Sequence, residues 1–205
     1  MTGLRERQKA DRTRRILEAA SRLFRDHGYG AIRIEDIAQA AEVSVGTLYN
    51  YFTNKGDLLL AIVSMEVEEV LETGKSVVAD PPADIAQALA RLIGIYYDHS
   101  LFYLSKEMWR TAMAISIEAP ETPFSARYTA LDALLTAQVC DLIRELQRRG
   151  YARPCLEAEA MGQVIFNNLN QMFIEFVKQD DMPVADLHAA TARQNAIIAE
   201  MLTPR

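Results

Sequence analysis

The stretch from Ile34 to Lys55, IEDIAQAAEVSVGTLYNYFTNK, decides the fold. Ile34, Ile37, Ala38 and Ala41 recur at helical spacing and mark a helix of about two turns. Ser44 is a good N-cap for another helix, beginning at Val45 and ending near Phe52. Two short helices joined by a tight turn form the shape that lets one helix enter the major groove of DNA. In the second of them, Val45, Leu48 and Phe52 can pack inward. That leaves Thr47, Tyr49, Asn50 and Tyr51 to face a nucleic acid. Gly46 lets the start of this helix approach a phosphate backbone closely, where free N–H groups and the helix dipole favour an anion.

Outward from this segment the chain reads as helix throughout. Ile16, Leu17, Ala20, Leu23 and Phe24 predict a first helix over about 10–27, with Gly28 as its stop. Asn54 and Asp57 resemble a capping box opening a fourth helix that runs to about residue 78, before Asp80-Pro81-Pro82 breaks it. A fifth helix carries Ile85, Leu89, Leu92, Ile93, Tyr96 and Tyr97. A sixth carries Leu101, Leu104, Ser105, Met108, Trp109, Ala112 and Met113. A seventh runs from about Pro123 to Arg149, where Gly150 stops it. An eighth starts near Cys155, and a ninth spans about Val184 to Met201. No strand alternation and no internal repeat is present, so the fold class is all-α with about nine helices.

Composition narrows the function. Half of the 205 residues are apolar, enough for a sizeable core. No run approaches the roughly 18 apolar residues of a membrane span, and the charged N-terminus lacks a signal core, so a cytoplasmic protein with no membrane partner is expected. The net charge of -6 hides a split. Residues 1–60 hold ten Lys or Arg against eight Asp or Glu, while 61–205 hold twelve against twenty. The basic groups gather at Arg5, Arg7, Lys9, Arg12, Arg14 and Arg15. A basic head on an acidic body meets a polyanion in one orientation only, although a merely solvated terminus has the same composition. His27, His99 and His188 are scattered, and no HExxH, GxSxG or phosphate-cradling glycine loop is present. Neither an enzyme nor a cofactor or metal is expected. Cys140 and Cys155 make one pair at most; inert thiols are the plain expectation, with redox sensing left open.

The phrase AxxLFRDHGYGAIRIEDIAQAAEVSVGTLYNYFTNKGDLL, over roughly residues 10–62, resembles the N-terminal domain of the TetR/AcrR transcriptional regulators. The resemblance implies a three-helix helix-turn-helix head over 1–55 and a helical body for ligand binding and dimerisation over 56–205. It implies a homodimer through the last two helices, a double-stranded DNA operator and a small-molecule effector that releases a repressor. By position, Thr47 and Tyr49 would contact phosphate or base edges, Asn50 bases, and Tyr51 and Lys55 phosphate. The basic arm, including Arg14, would reach the backbone or a minor groove. One departure is Arg33, where this family usually opens the second helix with Ser or Thr. The capping hydroxyl is lost, and Arg33 brings a charge that can itself reach phosphate. Ser44 and Gly46 complete the expected DNA-facing set.

The body offers aromatic and sulfur side chains suited to an adaptable apolar cavity, although for any one of them core packing is the ordinary role. Tyr97, Trp109, Met113, Tyr128 and Asn170 are the candidate ligand contacts. The eighth helix is apolar almost all round yet carries Asn167, Asn168, Asn170 and Gln171, and Asn168 falls on its apolar stripe. A buried amide needs partners, whether in a ligand, a facing helix or water. The alternative for the whole chain is a helical carrier or interaction protein whose head no longer binds DNA.

Overall fold

A computed structural model describes residues 2–204, apart from the side chains of Thr2, Leu4 and Arg5. The Arg5 guanidinium of the basic cluster therefore lies outside the described set. Among the described residues are nine helices: α1 Thr2–His27, α2 Ile34–Ala40, α3 Val45–Tyr49, α4 Lys55–Ala79, α5 Ile85–His99, α6 Lys106–Glu118, α7 Pro123–Arg148, α8 Ala158–Lys178 and α9 Val184–Leu202. The all-α architecture with a helix-turn-helix near the N-terminus is as the sequence predicts.

The chain forms two compact units. The first holds residues 1–65 and 102–128, and the second 66–101 and 129–205. Helices α4 and α7 contribute residues to both. In the first unit Ile16, Ala20 and Phe24 of α1, Ile37 of α2, Leu48 of α3 and Leu58, Leu59 and Ile62 of α4 are wholly buried. Phe24 and Tyr29 tilt together at 5.0 Å between ring centroids. Gly28 takes φ +84, which ends α1 in the left-handed region that disfavours other residues.

In the second unit α9 packs against both α5 and α8. A buried amide ties three helices: Tyr96 of α5 donates to Oε1 of Gln138 at 2.7 Å, and Gln138 Nε2 on α7 donates to the Leu71 carbonyl of α4 at 2.8 Å. Both ends of the amide are satisfied, as a buried amide requires. Helices α7 and α8 cross at Gly162, where an added Cβ would lie 2.8 Å from Cys140 Cα and 2.9 Å from its backbone nitrogen.

Four boundaries differ from the sequence reading, each for a local reason. Helix α1 continues back to Thr2, because Arg, Glu, Gln and Ala form helix without an apolar stripe to betray it. Helix α3 ends at Tyr49, short of Phe52. Helix α6 begins only at Lys106, capped by Ser105 Oγ on the Met108 N–H at 3.3 Å. The preceding carbonyls of Phe102 and Tyr103 instead accept from Arg25 and Ser21 of α1, both at 2.5 Å. Leu101 and Leu104 thus keep a helical spacing without helix. Helix α8 starts at Ala158 rather than near Cys155, since Gln147 Nε2 takes the carbonyls of Arg153 and Leu156 and the Arg153 N–H goes to Leu202.

Two cost terms follow. Gly162→Ala forces a methyl against backbone that cannot yield, so it should lower stability by about 1–3 kcal/mol in urea denaturation. Gly30→Ala, with open space at its Cβ, is the neutral control. Asp132 on α7 has no hydrogen bond or ion pair to its carboxylate among the described residues, and burial pushes its pKa up to about 6. Its unfolded value lies near 3.9, so the folded state holds the extra proton between about pH 4 and 6, and stability falls as pH rises through that window. Asp132→Asn should therefore exceed the wild type by on the order of 1–2 kcal/mol at pH 8 and match it near pH 4. A constant difference across that range would refute this assignment.

Candidate nucleic-acid interface

The unit that presents α3 is built from three local devices. Ser44 caps the helix: its Oγ accepts from the Thr47 N–H at 3.0 Å and lies 2.8 Å from the Thr47 hydroxyl. Leu48 is fully buried and Phe52, behind it, nearly so, while Val45 is only half-buried and anchors less than its sequence position suggests. Between α2 and α3 the chain turns through Glu42 at φ +54, with the Val43 N–H returning to the Ala38 carbonyl at 2.9 Å.

With Leu48 inward, Tyr49 and Asn50 are exposed, Tyr49 at 49 %. Neither the Tyr49 hydroxyl nor the Asn50 amide has a protein partner among the described residues. Thr47 is half-buried, its hydroxyl engaged with Ser44. Tyr51 is half-buried, and its hydroxyl accepts from Arg12 of α1 at 3.4 Å. A methyl at Gly46 would meet no heavy atom of another described segment within 4 Å, so packing does not demand glycine there.

The flanking charges divide into two kinds. Arg7, Lys9, Arg14 and Arg15 are exposed on α1, and Arg14 pairs loosely with Glu18 at 3.9 Å. Arg33 offers no oxygen to cap α2. Asp36 covers part of the loss by accepting the Arg33 N–H at 2.9 Å, while the exposed guanidinium sits 3.5 Å from Glu35. Lys55 is different. Its ammonium donates to the carbonyls of Tyr29 at 2.7 Å and Ile32 at 3.1 Å, approaches that of Gly30 at 3.4 Å, and lies 4.4 Å from the centre of the Tyr29 ring. The α1–α2 loop thus uses the Lys55 donors, a role that sequence spacing did not reveal.

The five candidate ligand contacts fall three to the first unit and two to the second. Trp109 and Tyr128 are buried and Met113 half-buried in the first. In the second, Asn170 is half-buried and Tyr97 is 2 % exposed. The Tyr97 hydroxyl donates to the Leu169 carbonyl at 2.8 Å, its ring stacks on Phe173, and burial pushes its pKa up to about 12. Among the described residues Asn168 keeps its Nδ2 buried without a partner, as does Asn195 its Oδ1. Asn195 was missed by sequence reasoning because one Asn among the alanines of α9 carries no pattern. Cys140 is buried, and desolvation pushes its thiol up to about 11, which keeps it protonated; Cys155 is exposed.

Lys55→Met keeps the aliphatic stem and removes the ammonium from three carbonyls. It should cost about 1–3 kcal/mol in thermal or urea unfolding. Unchanged stability would show that the loop does not depend on the lysine.

Comparison with known proteins agrees with this geometry. Residues 16–62 match the family model of bacterial regulatory proteins of the tetR family. Over 66 residues the chain is 39% identical to the HTH-type transcriptional repressor KstR of Rhodococcus jostii, a match covering 32% of this chain but only 31% of that repressor. The fatty acid metabolism regulator protein of Bacillus subtilis is 23% identical over 180 residues, covering 85% of this chain and 88% of that protein. Among solved structures, Thermus thermophilus FadR, a TetR family transcriptional repressor in complex with lauroyl-CoA, superposes with a TM-score of 0.66 at 22% identity, covering 94% of this chain and 96% of that one. At such identity the superposition speaks to the fold, and the family model speaks to the segment that carries α2 and α3. A nine-helix order, a capped α3 and this sequence phrase meet in one chain, whose residues 16–62 are similar to the tetR family of bacterial regulatory proteins.

Proposed function

We propose that this chain is a ligand-responsive regulator, a repressor, that binds double-stranded DNA as a homodimer. Residues 1–55 serve as its DNA-binding domain, and 56–205 as the domain for effector and partner subunit. The observation that carries the reading is α3: its apolar side is buried while Tyr49 and Asn50 stand exposed with unpaired polar groups. Tyr49, Thr47, Ser44 and Tyr51 contact phosphate or base edges, Asn50 reads a base, and Gly46 allows the close approach. Arg14 and Arg33 supply charge from either side. With its ammonium engaged by the α1–α2 loop, Lys55 meets phosphate through its backbone N–H at the start of α4.

The dimer reading rests on α8 and α9, which expose Val164, Ile197 and Met201 at 54, 63 and 56 %. Exposed apolar side chains on two consecutive helices suit a self-complementary interface. Two heads held by such a bundle would meet successive major grooves about 34–36 Å apart on a near-palindromic site. The effector is a small apolar or aromatic molecule held within the helical body. Because FadR of Thermus thermophilus holds lauroyl-CoA, a fatty acyl chain is the first apolar probe. Helix α4, which contributes to both units, carries the change to the head.

A gel-shift series on genomic fragments across salt tests the reading. Fragments should be retained with affinity that falls steeply as salt rises. Tyr49→Phe should leave stability unchanged and weaken that binding roughly 10–100-fold, as loss of a hydrogen bond to a charged group does. An inducing ligand should weaken it about 5–150-fold. No fragment retained at any salt would favour the helical carrier with a degenerate head.

A further inference from the structure

Within the second unit a cavity of about 370 Å³ lies along the seam of α5 and α9, and of the candidate ligand contacts above only Tyr97 lines it. Its volume is in the lower part of the range of small-molecule pockets. Ala90, Ile93 and Ala192 give it an apolar wall, and the Tyr97 ring closes one side. Asn195 lines it while being only 4 % exposed, and the Asn195 Oδ1 has no hydrogen-bond partner among the described residues. A buried acceptor left unpaired is a standing cost that a ligand donor removes.

The charge of the lining selects the ligand. No Lys or Arg lines the cavity. Asp84, at the start of α5, accepts the Gln87 N–H on one carboxylate oxygen at 2.9 Å and leaves the other without a partner among the described residues. The only lining group able to become cationic, His188, is already held by Asp98 at 2.6 Å. The Thr191 hydroxyl lies 3.4 Å from that of Tyr97. The groups still open are the Asp84 carboxylate, a full negative charge, and the side-chain amides of Gln87 and Asn195, beside an apolar wall and an aromatic ring.

We propose that the α5–α9 cavity is a binding site for a small organic ammonium compound. Its N–H donors sit between Asp84 and Asn195, and its apolar or aromatic arm lies against Ala90, Ile93 and Tyr97. This does not rest on DNA binding, and it shares only Tyr97 with the candidate effector contacts.

The full chain is titrated calorimetrically with tryptamine, an aromatic primary ammonium, and with indole-3-propionate, its anionic counterpart. Tryptamine should bind saturably with one site per chain, and the anion at least tenfold more weakly. Asn195→Leu removes the buried acceptor at similar volume, and Asp84→Ser removes the charge while keeping a capping oxygen for α5. Both should melt at or near the wild-type temperature and bind tryptamine at least tenfold more weakly. Should Asn195→Leu fail to fold, Asp84→Ser alone decides. Absence of saturable tryptamine binding overturns the proposal, as does equal binding of the anion or wild-type affinity in the folded variants. The last result would mean that tryptamine sits elsewhere in the chain.

Discussion

A helix of five residues does not persist in water, because nucleation fixes several residues for very few hydrogen bonds. Helix α3 is that short, and it exists because Leu48 is wholly buried, Phe52 closes the chain behind it and Ser44 caps its first turn. These anchors also set its rotation. With successive side chains about 100° apart, burying Leu48 turns Tyr49 and Asn50 outward whatever lies beyond. The reading surface is therefore a by-product of packing, and any change that loosens Leu48 alters which side chains face out.

The second unit handles buried polarity in two ways. Gln138 and Tyr97 are placed deep among apolar residues, yet each of their polar ends meets a carbonyl or hydroxyl from another helix. Such fully paired groups set the register of the helices they join, since sliding a helix by one residue would strand them. Asn168 and Asn195 each leave one polar atom buried and unpaired. Within one helical body, satisfied amides mark where packing is complete, and the unsatisfied pair mark where it is not.

Helix existence and order were legible in the sequence because apolar spacing at three and four residues survives tertiary context, as in Ile85 to Tyr97. The caps Ser44 and Asn54 were legible for the same local reason: Asn54 Oδ1 does accept from the Asp57 N–H at 3.0 Å. What escaped depends on partners distant in sequence. Leu104 is buried without being helical because Ser21 and Arg25 claim the neighbouring carbonyls from more than seventy residues away. Lys55 is drawn to a loop more than twenty residues upstream, and Gly162 is required by Cys140. The two units interleave segments of chain, so no compositional boundary announces them.

The separate fates of the basic residues bear on how a polyanion would be met. Arg14 with Glu18 and Arg33 with Glu35 are loose pairs with exposed side chains on both sides. Such pairs contribute about 0–1 kcal/mol and are readily exchanged for a phosphate. Lys55 engages three carbonyls and an aromatic face, so moving its ammonium to a phosphate would abandon the loop it secures. On the proposed reading, counterion release then comes from α1 and Arg33. Because α1 is helical from Thr2, Arg7 and Arg14 lie two turns apart on one face. Arg12, turned from that face, holds the Tyr51 hydroxyl. The mild net charge of the head is thus no measure of its usable charge: the mobile positive groups are concentrated on one stretch of α1, and the fixed one supports the fold.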